Sequence, residues 1–417
     1  MSERPLRVAY LVRYLPSDSE TFVLDEAAAL AGAGAEVEVW ALDRAPSAIR
    51  HQRHGETYRR AVTVPRPSSL RSILAGVVMS EVPQFAGVRS SWSVHGRTKD
   101  LRRVAWLAAA WRRRGIDVVR VHHAAEAARF AIASGMLTNL PVSVAVHARD
   151  LFVPVSDLSW ILQNSSLVTT ITPFHRDLLL RTGLPSQSVA LLRSPVEVPV
   201  ERALPPEAGS PLRLLAVGRL VEKKGHDLLL KACSILAGEG TPIEVTIVGE
   251  GPERERLEAL TKQQKTRYSE MLHVEFLGRR PVEEVEKLLA EGRYHAAVLA
   301  CRVTEEGDRD GVPVALMEAQ ARAVPIVTSA LPGYDYEFTD GGGATLVTLG
   351  PARGGAQEPV VSEFVRALAE LYRDPKYQQR MADGARFSSS RRPTPTQIGE
   401  DLYERLIALC SNIADHE

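Results

Sequence analysis

Cations in a glycine-bounded turn and acids around a glycine–proline loop are the residues of this chain best placed to do chemistry. The turn is Gly218-Arg219-Leu220-Val221-Glu222-Lys223-Lys224-Gly225, directly after the apolar run Leu212–Val217. Its two glycines allow backbone to approach a ligand closely. Arg219 and Lys224 add two positive charges at a strand-to-helix turn, which is what a departing diphosphate needs in the absence of a metal. The loop is Asp310-Gly311-Val312-Pro313, followed by helical spacing from Val314 to Arg322, with Pro325 ending the helix before Ile326-Val327-Thr328. Pro313 suits a first helical turn, where its missing N–H is no loss. A helix N-terminus behind a glycine loop offers free N–H groups and a positive dipole end to a phosphate. Glu318 stands among Val314, Ala315, Leu316, Met317 and Ala319, where a carboxylate is costly unless something binds it. A pair of sugar hydroxyls would serve, and so would a satisfied glutamate in a buried helix.

The first half offers another candidate. Pro141–Val146 reads as a buried strand that delivers His147-Ala148-Arg149-Asp150 at its C-terminal end, where ligands of parallel sheets collect. Ser19-Glu20-Thr21-Phe22 opens a helix reaching about Gly32, with Ser19 as its cap. Asp117–His122 is a strand ending in a histidine pair. After the strand Ile243–Val248 comes Gly249-Glu250-Gly251-Pro252. Arg254 stands where a dinucleotide fingerprint needs its third glycine, so a nicotinamide-dependent oxidoreductase is disfavoured.

Positioning these groups takes two series of alternating strands and helices. At 417 residues the chain exceeds what one core usually serves. The expected division is 1–196, a linker 197–211 rich in Pro and Glu, a second α/β domain 212–392, and an amphipathic helix 393–417. Lys+Arg and Asp+Glu balance at 51 each, which removes a bulk electrostatic case for nucleic acid. Three scattered cysteines, Cys233, Cys301 and Cys410, make neither a disulfide framework nor a zinc site, and with no apolar leader or span the expected location is the cytoplasm. Arg102, Arg103 and Arg112–Arg114 surround Trp106 and Trp111 on a helical stretch. A solvated face is the expectation there, with weak contact to a membrane surface as the alternative.

Together these stretches resemble the retaining glycosyltransferases of family four, which have the GT-B fold. The resemblance rests on Gly218-Arg219-Leu220…Lys224-Gly225, Gly249-x-Gly251-Pro252, Val274–Gly278, Asp310-Gly311-x-Pro313 with Glu318-Ala319, and His147-Ala148-x-Asp150. The opening Ser19–Phe22 with Glu26 is similar to an exopolysaccharide-related branch. Three departures stand out: Asp310 replaces a commoner Glu, Arg120 replaces the first His of D-V-V-H-x-H, and Arg193–Glu197 replaces N-G-V-D. The resemblance implies two Rossmann-like α/β domains with parallel sheets facing across a cleft. It implies transfer of a sugar from a nucleoside-diphosphate donor (UDP- or GDP-sugar) to an acceptor hydroxyl of a glycan, lipid-linked glycan or small aglycone, with retention. By resemblance, Arg219 and Lys224 stabilise the departing phosphate, Glu318 holds ribose, and Asp310 with Gly311, Val312 and Pro313 holds the sugar. Gly218, Gly249 and Gly251 shape the donor site, Arg279 and Arg280 meet the base, and His147 works at the reacting face. Ser19, Glu20, Thr21 and Asp150 line the cleft. Asp308-Arg309-Asp310 spells the D-x-D of metal-dependent glycosyltransferases, but the expectation is no metal and no cofactor beyond the donor. A sugar-nucleotide epimerase on the same fold is the alternative.

Overall fold

The computed structural model describes residues 4–17, 21–45, 49–79, 82–95, 97–207, 209–268, 270–352 and 354–414. The chain forms two compact units, Met1–Pro195 with Pro395–Glu417, and Val196–Thr394.

The first unit runs β1 (Arg7–Leu15), α1 (Thr21–Gly32), β2 (Glu36–Arg44), α2 (Gly55–Arg60), β3 (Val62–Thr63), α3 (Leu70–Met79), α4 (Phe85–His95) and α5 (Leu101–Arg114). It continues with β4 (Val118–His122), α6 (Glu126–Met136), β5 (Val142–Ala145), α7 (Ala148–Phe152), α8 (Leu158–Gln163), β6 (Leu167–Thr170), α9 (Pro173–Leu180) and β7 (Val189–Leu191). The seven strands form one sheet in the order β3-β2-β1-β4-β5-β6-β7, parallel throughout. Helices cover both faces of such a sheet, so its central strands read as continuous apolar runs. β4, β5 and β6 are buried at every position.

The second unit runs β8 (Leu212–Val217), α10 (His226–Gly238), β9 (Ile243–Val248), α11 (Arg254–Tyr268), β10 (Leu272–Gly278), α12 (Val282–Glu291) and β11 (Ala296–Leu299). α13 (Val314–Ala321), β12 (Ile326–Ser329), β13 (Ala344–Val347), α14 (Val361–Arg373) and α15 (Pro375–Ser390) follow. Its parallel sheet has the order β10-β9-β8-β11-β12-β13. Residues 197–211 lie within this unit: the Ala203 and Leu204 amides donate to the Arg322 and Ala290 carbonyls, and Arg202 pairs with Asp383 at 2.6 Å.

The last helix, α16 (Pro395–Ala414), returns to the first unit. Ile398, Leu402 and Leu406 are buried in a cluster with Val23 and Leu30 of α1, each contributing about 1.5–3 kcal/mol of apolar burial. Gly399 permits this approach, since a Cβ there would sit 2.2 Å from the Ala29 carbonyl oxygen.

The arginine-rich stretch divides by environment. Arg102, Arg112, Arg113 and Arg114 are exposed. Arg103 is buried and donates to the Leu42 carbonyl, so it belongs to the interior and not to the expected solvated face. Trp111 is fully buried.

Candidate active site

In the second unit the ends of β8 and β11 bring together the two stretches with chemical potential. After β8 the chain makes the 218–225 turn and enters α10 through Gly225. Its φ of +65° is left-handed, and a Cβ would lie 1.8 Å from the Ala300 carbonyl oxygen. Only glycine tolerates both. Backbone pins the two exits together, the Arg302 amide donating to the Lys223 carbonyl at 2.9 Å. Gly249 and Gly251 explain themselves locally. Cβ atoms there would fall 1.9 Å from the Gly218 carbonyl oxygen and 2.2 Å from that of Leu220, so these glycines let the β9 exit pack onto the cationic turn.

The two lysines of the turn meet the two acids of the loop in register. Lys223 Nζ donates to Asp308 Oδ1 at 2.9 Å, and Lys224 Nζ donates to Asp310. Both carboxylates of the D-x-D lookalike are therefore neutralised by lysine. Among the described residues no group of three or more His, Cys, Asp or Glu side chains is arranged to hold a metal ion. Lys223 is buried and Lys224 keeps 12% of its side chain exposed, while Asp310 keeps 17%. Burial works against the Lys224 ammonium, but the Asp310 carboxylate outweighs it and raises the pKa. Beside them, burial and the Asp310 charge push the Cys301 thiol up to about 12, so it stays neutral. His226, the first residue of α10, has its pKa lowered to about 4 by burial and by Lys224. Its Nε2 lies 3.3 Å from the Arg219 carbonyl. That oxygen can only accept, so Nε2 carries the proton and props the turn.

The other candidates of this unit surround the pair in sequence. Arg219 is exposed, as are Arg279 and Arg280 at the β10 exit, and Arg280 lies 3.5 Å from Glu284. Pro313 caps α13 from outside its first turn, and Val312 is buried while Gly311 is half-buried. Glu318, half-buried, lies one turn into that helix, and its carbonyl accepts from Arg322 at 3.4 Å.

In the first unit a small pocket opens at the strand ends, lined by Phe22, Glu26, His122, His147, Thr170 and Arg193 among others. His147 caps α7, its amide donating to Asp150 Oδ2 at 2.8 Å. Its imidazole lies edge to edge with that of His122, with centroids 5.3 Å apart and planes 18° apart. His122 Nδ1 lies 3.1 Å from His147 Nε2, and His122 Nε2 lies 2.9 Å from Glu26 Oε1. Burial pushes the Glu26 carboxyl up, but Arg120 and His122 prevail and hold it well below the carboxylate range. Burial, then His123 and His122, hold His147 well below the usual imidazole value. Thr21 is half-buried at the start of α1, whereas Ser19 and Glu20 lie outside the described residues.

Sequence reasoning missed Lys223 and Asp308 as a pair, and it missed the network around Glu26. The signals were present. Two consecutive lysines faced two acids spaced by two, and Arg120 sat mid-strand in an apolar run, where a buried charge demands a partner.

Two Rossmann-like units with parallel sheets of this kind make up the GT-B fold. The crystal structure of Anabaena Alr3699/HepE in complex with UDP and glucose shares this fold. Its TM-score is 0.70 at 15% identity, covering 97% of this chain and 100% of that one. WaaG, a glycosyltransferase involved in lipopolysaccharide biosynthesis, gives 0.62 at 14% identity, covering 96% and 99%. Residues 200–387 match the family described as Glycosyl transferases group 1. Over 379 residues, 87% of this chain and 91% of the relative, the sequence is 25% identical to WcaL of Salmonella typhimurium, named as a colanic acid biosynthesis glycosyltransferase. Over 178 residues, 42% of each, it is 32% identical to the amylovoran biosynthesis glycosyltransferase AmsK of Erwinia amylovora. Residues 200–387 thus form a group 1 glycosyl transferase domain within a chain of the GT-B fold, and the chain is homologous to these glycosyltransferases.

Proposed function

We propose that this enzyme moves a sugar from a nucleoside-diphosphate donor, a UDP- or GDP-sugar, to an acceptor hydroxyl during exopolysaccharide assembly, with retention and without a metal. The observation that carries this reading is the pairing of Lys223 and Lys224 with Asp308 and Asp310 at the ends of β8 and β11. An incoming diphosphate competes with Asp310 for Lys224. Lys224 and exposed Arg219 then neutralise the leaving group, while Asp310, released from its ion pair, accepts from sugar hydroxyls. Free amides at the start of α13 add donors, and Glu318 takes ribose hydroxyls. The acceptor oxygen attacks the anomeric carbon from the face the phosphate leaves. The C1–O bond to phosphate breaks, a new C1–O bond forms, and the acceptor proton passes to the departing phosphate oxygen. His147 receives a hydroxyl of the donor sugar or acceptor. The UDP-bound fold neighbour and the exopolysaccharide names of the relatives support donor and pathway. The epimerase alternative is not favoured, because these relatives are named as transferases.

The acceptor side suits an anionic lipid surface. α3 exposes Leu70, Leu74, Val77 and Val78, which recur along one helical face at 56–70% exposure. Exposed Arg71 and Arg102 lie in the same region, Arg102 packing against Gly76 of α3. An apolar stripe flanked by arginines is what an interfacial helix presents to acidic headgroups. No helix among the described residues is long and apolar enough to cross a membrane. We place the enzyme in the cytoplasm, in keeping with three free cysteines.

A thermal-shift screen of nucleotide sugars identifies the donor, and NMR of the product gives its anomeric configuration. Inversion overturns the retaining reading, and consumption of donor without acceptor revives the epimerase. Sedimentation with phosphatidylglycerol vesicles, but not phosphatidylcholine vesicles, is expected and should be lost in Leu74→Ser/Val77→Ser. Equal binding of that variant, or a dimer that the same changes dissolve, removes the lipid assignment.

A further inference from the structure

We propose that Glu26 and His122 are positioning residues for His147: the carboxylate dictates which nitrogens of two hydrogen-bonded imidazoles carry protons, leaving His147 Nδ1 as the unprotonated, accepting nitrogen at the α7 N-terminus. This rests on the reading of His147 given above.

The geometry allows one assignment. Glu26 is buried on α1 and receives the Tyr10 hydroxyl at 2.9 Å and Arg120 at 2.9 and 3.0 Å. His122 Nε2 makes the fourth hydrogen bond, at 2.9 Å. An ionised carboxylate only accepts, and here Oε1 receives three of the four donors and Oε2 the other. His122 Nε2 therefore carries a proton, and in a neutral ring Nδ1 does not. The 3.1 Å contact to His147 is then a hydrogen bond only if His147 Nε2 donates. That leaves Nδ1 as the unprotonated nitrogen of His147.

Every wall of the site supports this order. Arg120, fully buried, directs two further donors to Ser143 Oγ at 2.8 Å and Thr169 Oγ1 at 2.9 Å, so β4, β5 and β6 hold it against Glu26. Phe22, one turn before Glu26 on α1, packs edge-on to both imidazoles, with centroids at 5.6 and 5.2 Å. His123 lies 4.6 Å from the His147 ring centroid, and Asp150 holds the His147 amide. Of these neighbours, His122 is the one whose hydrogen bond reaches Nε2. Arg120 matters here because it neutralises Glu26 in a dry site without lending it a proton, so the carboxylate stays an acceptor.

The test reads the tautomers directly. Protein labelled with 15N-histidine, studied by long-range 1H–15N correlation at pH 7.5 with His122→Phe and His147→Phe as assignment controls, should show both rings as Nε2–H tautomers. In His122→Phe, which keeps the Glu26–Arg120 pair, His147 should lose its single tautomer. Transfer kcat should fall about 10- to 100-fold, as for the loss of other outer partners that orient a functional imidazole, with donor KM unchanged. His122→Asn, whose carbonyl can accept where Nδ1 did, should recover much of that loss. An Nδ1–H His147 in the wild type, or wild-type kcat in His122→Phe beside an inactive His147→Ala, overturns the relay alone. Wild-type transfer by His147→Ala overturns the role of His147 itself and the relay with it.

Discussion

Each unit pairs ionised side chains against its parallel sheet, but the two handle them in opposite ways. In the first, Glu26 and Arg120 are buried and saturate one another through hydrogen bonds to Tyr10, His122, Ser143 and Thr169. In the second, Lys224 and Asp310 hold each other while both remain partly open to solvent. A closed network fixes geometry and is disrupted by any deletion. An open pair is one that a charged ligand can enter by replacing a partner. The same chemistry thus serves orientation in one unit and is available for binding in the other.

The sharpest way to break the contrast is Glu26→Ala. It strands a buried guanidinium, and removal of one partner of a buried pair costs about 3–5 kcal/mol. All five tryptophans lie in the first unit, so urea unfolding followed by tryptophan fluorescence reads that unit. A loss under about 1 kcal/mol would mean the network is not closed. Lys224→Ala should leave the fold intact and lower turnover by roughly 10²–10³-fold, the effect of removing one preorganised group from developing charge. Steady-state kinetics with calorimetry of the nucleotide diphosphate should show binding weakened less than turnover. Wild-type turnover would remove Lys224 from the mechanism.

Acid should act on the second unit through two buried histidines. Burial and Lys224 lower His226 to about 4, and burial and Arg213 lower His295 to about 4. A depressed folded-state value means the stability is fully present above the unfolded value of 6.5 and is lost as pH falls from there towards 4. Each contributes up to about 3 kcal/mol. Protection factors in α10 and β11, with the intrinsic pH dependence of exchange divided out, should therefore fall between pH 6.5 and 4, and His295→Phe should blunt the change. The smallest effect is expected at Asp308. Its partner Lys223 is buried and no part of the open Lys224–Asp310 pair, so Asp308→Ala should be mild where Asp310→Ala is severe. Activity should survive EDTA, and restoration of a chelated enzyme by Mn²⁺ would sink the metal-free reading.

Much of this was legible in the sequence because glycine and proline punctuate it. The turn 218–225, the helix after Pro313 and the strand before His147 follow from spacing and breakers. Partnership was less legible. Lys223 carried no assigned role in the sequence, and only the β11 exit brings Asp308 to it, at 2.9 Å. Glu26, Arg120 and His122 are 94 to 96 residues apart across two elements, and side-chain periodicity carries no information about which helix covers which strand. Gly249 and Gly251 illustrate the converse. Their spacing invited a ligand reading, and the carbonyls of Gly218 and Leu220 supply a backbone reason for both.

The return of α16 to the first unit bears on how the protein is made. The second unit is one uninterrupted stretch, 196–394, whereas the first lacks Ile398, Leu402 and Leu406 until the final helix has been synthesised. During translation the later-encoded unit can close while the earlier one waits with the α1 face uncovered. The usual N-terminal-first order of domain folding is then inverted at the last step. Gly399→Val, by holding α16 off the Ala29 carbonyl, should prolong that wait and raise the fraction of nascent chains captured by chaperones.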